Sequence, residues 1–268
     1  MFDEQKELSE RYVKFNVQEL MKAAINVCEG ATNCGITKCA EGFSNKGFIL
    51  TMDNGSEVFA KIPNLIAGPA RLTIASEVVT RELLRDVFKI PVPRVLAWSS
   101  DPNNPVEAEY IIEERATGRK LQSIDQVVDM ENRLTGITFD SHGCIYFMED
   151  LRTLIDETGV DIAPLGPGSL KHFSLGPLTS RELWEGARRD MKLDRGPLAP
   201  YLVPGSTDRL ASANVLWHPD LHLENIFVDS VTGKITGIVD WQLACVTPMF
   251  YQSDVPRLCQ HFGTVWEG

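Results

Sequence analysis

The segment HPDLHLENIFVDSVTGKITGIVDW, residues 218–241, reveals more about the architecture of this chain than any other part of it. Its two β-rich runs, IFVDS and KITGIVD, flank a Val-Thr-Gly turn, which predicts two antiparallel strands joined as a hairpin. The predicted centre lies between Thr232 and Gly233, so Asn225 and Asp240 should face each other at the open end. Adjacent strands lie about 4.8 Å apart, which would let an amide oxygen and a carboxylate hold one Mg²⁺.

A further carboxylate, Asp220, precedes Asn225 on the same loop and follows His218. It could accept a proton from a hydroxyl nucleophile while the cation neutralises charge on a transferred phosphoryl group. The pattern His-x-Asp-x-x-x-x-Asn, followed by an Asp at the end of a strand, is the sequence form of kinase chemistry. The structural alternative is that these side chains only cap turns, bond to backbone groups and end a strand.

A second block, GITKCAEGFSNKGFILTMDNGSEVFAKIP (residues 35–63), contains three β-rich runs. The turn Asp53-Asn54-Gly55 predicts a hairpin that places Lys61 opposite Phe48. A glycine-bounded loop with a lysine on the third strand is how protein kinases hold the phosphates of ATP. The candidate loop residues are Gly42, Phe43, Ser44, Asn45, Lys46 and Gly47. Because this loop lacks the G-x-G-x-x-G pattern, an ordinary polar turn with a solvated Lys61 is the alternative.

The run SEVVTRELLRDVF, residues 76–88, has apolar residues at helical spacing and predicts an amphipathic helix that ends before Pro91. Glu77 is expected in its first turn. One interpretation is that this carboxylate complements the helix dipole. The other is that it reaches Lys61 and aims the ammonium at the phosphates.

These motifs together resemble the aminoglycoside phosphotransferase and choline kinase group of protein-kinase-like enzymes, in particular the fungal branch that includes the altered inheritance of mitochondria proteins. The resemblance is carried by residues 41–63, 66–121, 139–147, 176–197 and 216–242. It implies an α+β, protein-kinase-like fold of two lobes. Residues 1–115 would form a small antiparallel-sheet lobe that binds ATP, and residues 116–268 a mainly helical catalytic lobe.

The same resemblance implies a role for each motif residue. Asp220 would be the catalytic base, and Asn225 and Asp240 would bind Mg²⁺. Lys61 would contact the phosphates of ATP, and Glu77 would orient Lys61.

The resemblance also places Glu113, Glu114 and Arg115 where the lobes join and adenine is received. Their backbone would contact adenine, and their side chains are expected to be surface charges. His222 fits the His-x-Asp-x-His form of the group and is expected to be structural. The chain ends 28 residues after Asp240, where the family continues through further helices that form the acceptor wall. We therefore expect a C-terminally truncated form, in which ATP binding is better supported than turnover.

The composition of the chain limits the classes of partner that we expect it to bind. A formal net charge of -11 argues against a nucleic-acid partner. No run approaches the roughly 18 apolar residues of a membrane span. The start, MFDEQKELSE, resembles neither a signal peptide nor a mitochondrial presequence, so the sequence itself favours an intracellular protein. The family resemblance implies mitochondria, with the cytoplasm as the alternative.

The sequence thus predicts ATP- and Mg²⁺-dependent phosphoryl transfer to a hydroxyl of a small molecule. Two alternatives stay open. One is a non-catalytic, kinase-like protein that binds nucleotide or a partner. The other is nucleotidyl transfer, with ATP reversed in the same cleft.

Overall fold

The computed structural model describes residues 12–40, 42, 44–121, 125–155, 162–198 and 213–252. The α-helices are α1 Val17–Val27, α2 Leu72–Glu82, α3 Asp125–Thr135 and α4 Met148–Leu154. The strands are β1 Cys34–Lys38, β2 Asn45–Met52, β3 Glu57–Pro63, β4 Val95–Ser99, β5 Tyr110–Glu114, β6 Arg119–Lys120, β7 Thr138–Phe139, β8 Cys144–Phe147, β9 Phe173–Gly176, β10 Asn214–Trp217, β11 Ile226–Val228, β12 Ile235–Ile238 and β13 Cys245–Pro248. A π-helical turn, Leu83–Val87, continues α2, and 3₁₀ helices span Gly168–His172, Arg181–Leu183, Gly186–Asp190, Leu223–Asn225 and Met249–Gln252.

The first half of the chain forms a five-stranded antiparallel sheet in the order β1-β2-β3-β5-β4. The hairpin expected around Asn54 is present, but Lys61 lies opposite Gly47 rather than Phe48. The predicted register is wrong by one residue because three residues, not two, form the loop: the N–H of Met52 donates to the carbonyl of Ser56 at 2.8 Å. Gly55 supplies the left-handed conformation, with φ of 84°, that this longer loop requires.

Helix α2 begins four residues before the predicted start and is buried along nearly its whole length. It packs against β4 and β5 on one side and against β8 on the other. Since α2 is covered on both sides, its polar residues as far as Arg81 are buried, and Glu82 at its end is exposed. Glu77 therefore lies in the second turn rather than the first, which weakens the helix-dipole interpretation because that effect fades beyond the first turn.

The second half combines α3, α4 and short 3₁₀ helices with three small antiparallel sheets, ordered β13-β10-β7, β12-β11-β6 and β8-β9. The α+β class is confirmed, and these small sheets are an addition to the mainly helical arrangement expected. Their inner faces join α2 in one apolar core, which includes Val79, Leu83, Ile226, Ile238 and Trp241. This core fixes the β11–β12 hairpin beneath α2.

A separate apolar cluster supports the five-stranded sheet. Leu20 of α1 packs there with Leu50 and Ile62 of the sheet, and all three are fully buried. None of the described helices has the length and apolar composition that crossing a bilayer requires.

Candidate functional site

Lys61 contacts charged residues from both halves of the chain. Its Nζ atom lies 2.8 and 2.9 Å from the two carboxylate oxygens of Glu77 and 3.2 Å from Oδ1 of Asp240. Burial alone would lower the pKa of Lys61, but the carboxylates of Glu77 and Asp240 outweigh it and raise the pKa. The ammonium is therefore charged, and the alternative of a solvated Lys61 is wrong, because only 5% of the residue is exposed.

Asp240 follows strand β12 and adopts a left-handed backbone conformation, with φ of 64°. Asp tolerates this conformation better than most residues. The charge of Lys61 lowers the pKa of Asp240 against the opposing effect of burial, so the carboxylate is ionised. The Asp240 side chain is 43% exposed, which leaves it accessible to a ligand as well as to Lys61.

The β11–β12 hairpin is confirmed, but its register differs from the prediction. Ile226 pairs with Ile238, and the N–H of Val239 donates to the carbonyl of Asn225 at 2.9 Å. Asn225 thus faces Val239, and Asp240 lies one residue further on. The reason is that the turn is centred one residue earlier than predicted, since the N–H of Asp229 donates to the carbonyl of Lys234 at 2.9 Å. A bulge at Phe227/Val228 then recovers part of that shift, which leaves a difference of one residue at the open end.

The side chain of Asn225 is fixed by the loop that carries Asp220. Its amide nitrogen donates to the backbone carbonyl of Asp220 at 2.9 Å. The hydrogen bond identifies the nitrogen end of the amide, so the oxygen is the end available to a cation. Asn225 and Asp240 therefore each provide an oxygen atom of the kind that Mg²⁺ binds, and they lie near each other at the open end of the hairpin.

His218 connects the two loops of the site. Its Nδ1 accepts the backbone N–H of Asp220 at 3.1 Å, and its Nε2 lies 2.9 Å from the carbonyl of Val239. These partners require a neutral ring with the proton on Nε2. Burial lowers the pKa of His218, which favours this neutral form. The ring also packs edge-on against Trp241 at 4.5 Å.

The carboxylate of Asp220 is in turn held by His222. Nε2 of His222 lies 3.2 Å from Oδ2 of Asp220, and Nδ1 accepts the backbone N–H of Glu224 at 3.1 Å. The expectation of a structural histidine near the loop agrees with these contacts. The side chain of Asp220 remains 35% exposed.

The predicted glycine-bounded loop is shorter than expected, because strand β2 already begins at Asn45. Asn45, Lys46 and Gly47 are therefore strand residues, and Gly47 accepts the N–H of Cys39 at 2.9 Å. Ser44 accepts the backbone N–H of Asn64 at 2.8 Å. Gly42 belongs to the connection before β2, and Phe43 lies outside the described residues.

The three expected linker residues differ in their surroundings. Glu113 is buried and bonded to Arg81, so the prediction of a surface charge is wrong for this residue. Its strand, β5, has neighbours on both sides, and α2 covers one face. Glu114 pairs with Arg85 at 3.2 Å, and Arg115 pairs with Glu57, as surface charges do.

Some backbone groups of residues 113–115 already have hydrogen-bond partners. Glu113 and Glu114 pair with Phe59 and Val58 of β3, and the N–H of Glu114 donates to the carbonyl of Arg94 at 2.9 Å. Arg115 is the first residue beyond β5.

Two buried polar residues of this site were missed by sequence reasoning. Arg81 lies one helical turn after Glu77 and is 3% exposed. Gln242, 6% exposed, accepts from the amide of Asn45 and donates to the carbonyl of Ala67 at 3.1 Å. The i, i+4 spacing from Glu77 was the only available signal for Arg81, and Gln242 had none.

The comparison with known families locates a match in the second half of the chain. Residues 174–264 match the family described as "Phosphotransferase enzyme family". This segment contains Asp220, Asn225 and Asp240. The resemblance expected from the sequence is confirmed by this match and by the fungal relatives.

Among curated relatives, a subtelomeric hrmA-associated cluster protein of Aspergillus fumigatus is 32% identical over 322 residues, covering 84% of this chain and 60% of that protein. Altered inheritance of mitochondria protein 9, mitochondrial, of Candida albicans is 23% identical over 211 residues, covering 71% of this chain and 33% of that protein. The chain thus spans less than two thirds of the length of either relative. An aminoglycoside phosphotransferase from Streptomyces rimosus, a solved structure, aligns with a TM-score of 0.43 and 19% identity over 86% of this chain and 78% of that one.

Proposed function

We propose, from its resemblance to the phosphotransferase enzyme family and from the site around Lys61, that this chain is an ATP- and Mg²⁺-dependent phosphotransferase acting on a hydroxyl of a small molecule. In this proposal residues 1–115 form the ATP-binding lobe and residues 116–268 the catalytic lobe. Asp220 is the base, and Asn225 and Asp240 are the metal ligands.

The observation that carries the proposal is the position of Lys61 between Glu77 and Asp240. A buried ammonium that is fixed by one carboxylate and lies beside a second, solvent-accessible one can bind an anion without further rearrangement. These three residues are 16 and 179 positions apart in sequence, so local structure alone does not explain their meeting.

The oxygen ligands of Asn225 and Asp240 suit a Mg²⁺ ion that is also bound by phosphate oxygens. Within the described ranges, groups of three or more His, Cys, Asp or Glu side chains that could hold a metal do not occur. Mg²⁺ in phosphoryl-transfer sites usually takes one or two protein ligands and completes its shell with phosphate oxygens and water. The oxygens of Asn225 and Asp240 match that requirement.

When bound, Mg·ATP supplies the transferable phosphoryl group, and the chain supplies position and charge. Asp220 accepts the proton of the acceptor hydroxyl, which its 35% exposed side chain allows an acceptor to reach. His222 holds that carboxylate through Oδ2. Lys61 contributes positive charge beside the phosphates, and the backbone of Glu113, Glu114 and Arg115 receives adenine.

The experiment compares the rise in melting temperature caused by Mg·ATP in wild type and in Asp240→Ala. The matched control is Asp229→Ala, at the turn of the same hairpin, where the carboxylate accepts N–H groups of Val231 and Thr232. We expect wild type and the Asp229 variant to show the rise, each against its own ligand-free value, and Asp240→Ala to show none. The absence of any rise in wild type would contradict nucleotide binding.

Catalysis is tested separately from binding. Slow ATP hydrolysis that Asp220→Asn abolishes while the thermal shift persists would support a phosphotransferase. Hydrolysis unchanged in Asp220→Asn would exclude Asp220 as the base. A thermal shift without hydrolysis in wild type would favour a non-catalytic binding protein. Mass spectrometry of labelled products would separate phosphoryl from nucleotidyl transfer.

We also propose a mitochondrial location, because the Candida relatives carry that location in their names. A fluorescent fusion imaged with a mitochondrial dye tests it. A diffuse cytoplasmic signal would contradict it.

A further inference from the structure

Four charged side chains form a buried quartet between α2 and the five-stranded sheet. Lys61 and Glu113 belong to the sheet, and Glu77 and Arg81 belong to α2; each is at most 6% exposed. Lys61 is opposite Ile111 on β5, so Glu113, two residues beyond Ile111, projects from the same sheet face. The helix residues share a face because they are four positions apart.

Within this quartet the pairing is not symmetrical. Lys61 binds both oxygens of Glu77, and Arg81 binds Glu113 through Nη1 and the carbonyl of Pro93 through Nη2, at 3.1 Å. The same Nη1 of Arg81 lies only 3.9 Å from Oε1 of Glu77. Glu77 therefore lies within ion-pair distance of two cations.

Arg81 has the capacity to bind Glu77 more closely. Its Nε is buried and has no hydrogen-bond partner among the described residues. The charge of Arg81 is compensated mainly by Glu113, and a buried guanidinium that loses its carboxylate seeks another. Glu77 is the carboxylate within reach.

We propose that Glu113 is a positioning residue for Lys61: by neutralising Arg81, it keeps the carboxylate of Glu77 on Lys61. The consequence for the site rests on the proposed function, because Lys61 is assigned there to the phosphates of ATP. Glu113 is bonded to Arg81 rather than to Lys61, so its positioning effect passes through Arg81 and Glu77. Its charge also raises the pKa of Lys61 directly, so the test has to measure the position of Glu77.

Glu113→Gln tests this by removing the charge while keeping a side chain that can still accept from Arg81. A purely structural hydrogen bond would survive this change. We expect Arg81 to draw Glu77 away from Lys61, so that the Lys61 amine loses its main carboxylate partner. In a crystal structure of the variant, the distance from Nζ of Lys61 to the nearer carboxylate oxygen of Glu77 should lengthen from 2.8 Å to more than about 4 Å. The Kd for Mg·ATP should rise about tenfold.

The decisive variant is the double substitution Glu113→Gln with Arg81→Met, which removes both outer charges. Glu77 then has Lys61 as its nearest cation, and we expect the distance between Lys61 and Glu77 and the Kd to return to wild-type values. Glu114→Gln is the matched control, because Glu114 is the next residue along β5 and its ion pair with Arg85 is at the surface. It should change neither quantity.

A contact between Lys61 and Glu77 that is kept in Glu113→Gln, or that is still broken in the double variant, would overturn the proposal. If Glu113→Gln does not fold, recovery of folding and of this contact in the double variant supports the proposal, and a broken contact overturns it. The contact is measured without nucleotide. The expected distances together with no Mg·ATP binding in wild type would therefore refute the proposed function and leave the positioning role intact.

Discussion

The ring of His218 is hydrogen-bonded to the carbonyl of Val239, 2.9 Å away, although 21 residues separate them. Its other nitrogen accepts the N–H of Asp220. One neutral imidazole therefore fixes the backbone beside both candidate carboxylates, Asp220 and Asp240. Because the ring is buried, we infer that it holds these two backbone segments in place and does not act as a general acid or base.

We expect His218→Phe to preserve the packing against Trp241 but to leave the Asp220 N–H and the Val239 carbonyl without partners. The free energy of unfolding should fall by about 1–3 kcal/mol, measured by urea denaturation. The kcat for phosphoryl transfer should fall at least about tenfold through misplacement of Asp220. His172→Phe, at an exposed histidine of the Gly168–His172 helix, is the control. A wild-type kcat in His218→Phe would contradict this role.

Gln242 joins distant parts of the chain beside Asp240, because it bonds to both Asn45 and Ala67. In Gln242→Glu an ionised carboxylate cannot donate to the carbonyl of Ala67, whereas a protonated one can. Burial should raise the folded-state pKa of the new acid above its unfolded value. The variant should therefore be most stable below the unfolded pKa and lose stability as pH rises through the folded pKa.

Melting temperatures of this variant between pH 5 and pH 8, relative to wild type at each pH, provide the measurement. Gln242→Ala is the control, since it introduces no titrating group and its deficit should be independent of pH. A pH-independent deficit in Gln242→Glu would show that the donor to Ala67 does not matter.

The elements that were predicted correctly have local causes. The β2–β3 and β11–β12 hairpins follow from turn residues between β-rich runs, and the meeting of Lys61 with Glu77 follows from the order of those elements along the chain. The one-residue register errors arise from geometry that composition does not specify. In the first hairpin it is a three-residue loop, and in the second it is a turn centred one residue earlier, which a bulge partly offsets.

The residues that were missed depend on contacts between distant segments. Arg81 was missed and Glu113 was expected at the surface because charged side chains are usually exposed, but α2 is covered by β8 as well as by the sheet. Strands β6 and β7 have two residues each, too few for an alternating pattern to show in the sequence.

The buried carboxylate of Glu109 predicts that the stability of the chain depends on pH. Its carboxylate accepts the N–H of Arg71 at the start of α2, and burial raises its pKa to about 7 from 4.5. Since the folded pKa exceeds the unfolded one, stability is highest below about pH 4.5 and is lost as pH rises to 7. Glu109→Gln keeps an acceptor for Arg71 without the charge. It should raise the free energy of unfolding at pH 8 by about 1–2 kcal/mol, allowing for solvent screening, and have little effect at pH 4.5.

Urea denaturation at both pH values measures the difference. Glu107→Gln serves as a control, because this nearby carboxylate is exposed. Equal effects of Glu109→Gln at the two pH values would show that ionisation of Glu109 does not destabilise the folded chain.

Gly118 precedes β6, which pairs with β11, the strand that leads from the loop carrying Asp220 and Asn225 into the hairpin. It has φ of 111°, and a Cβ there would lie 2.3 Å from the carbonyl oxygen of Val228. Val228 belongs to the apolar core, so its backbone cannot move away without disturbing β11. We expect Gly118→Ala to lower the free energy of unfolding by about 3 kcal/mol or more, measured by urea denaturation.

Gly233→Ala separates the two causes of that loss. Gly233 also has a positive φ, 68°, but no atom lies within 4 Å of its would-be Cβ. Its substitution should cost only the left-handed backbone penalty of about 1 kcal/mol. The difference between the variants therefore measures the clash with Val228 together with the larger backbone penalty at Gly118, whose φ of 111° lies outside the left-handed well. Because displacement of β11 would also move Asn225, Gly118→Ala should weaken Mg·ATP binding while Gly233→Ala should not. Equal losses of stability in the two variants would show that β11 yields to the added methyl group.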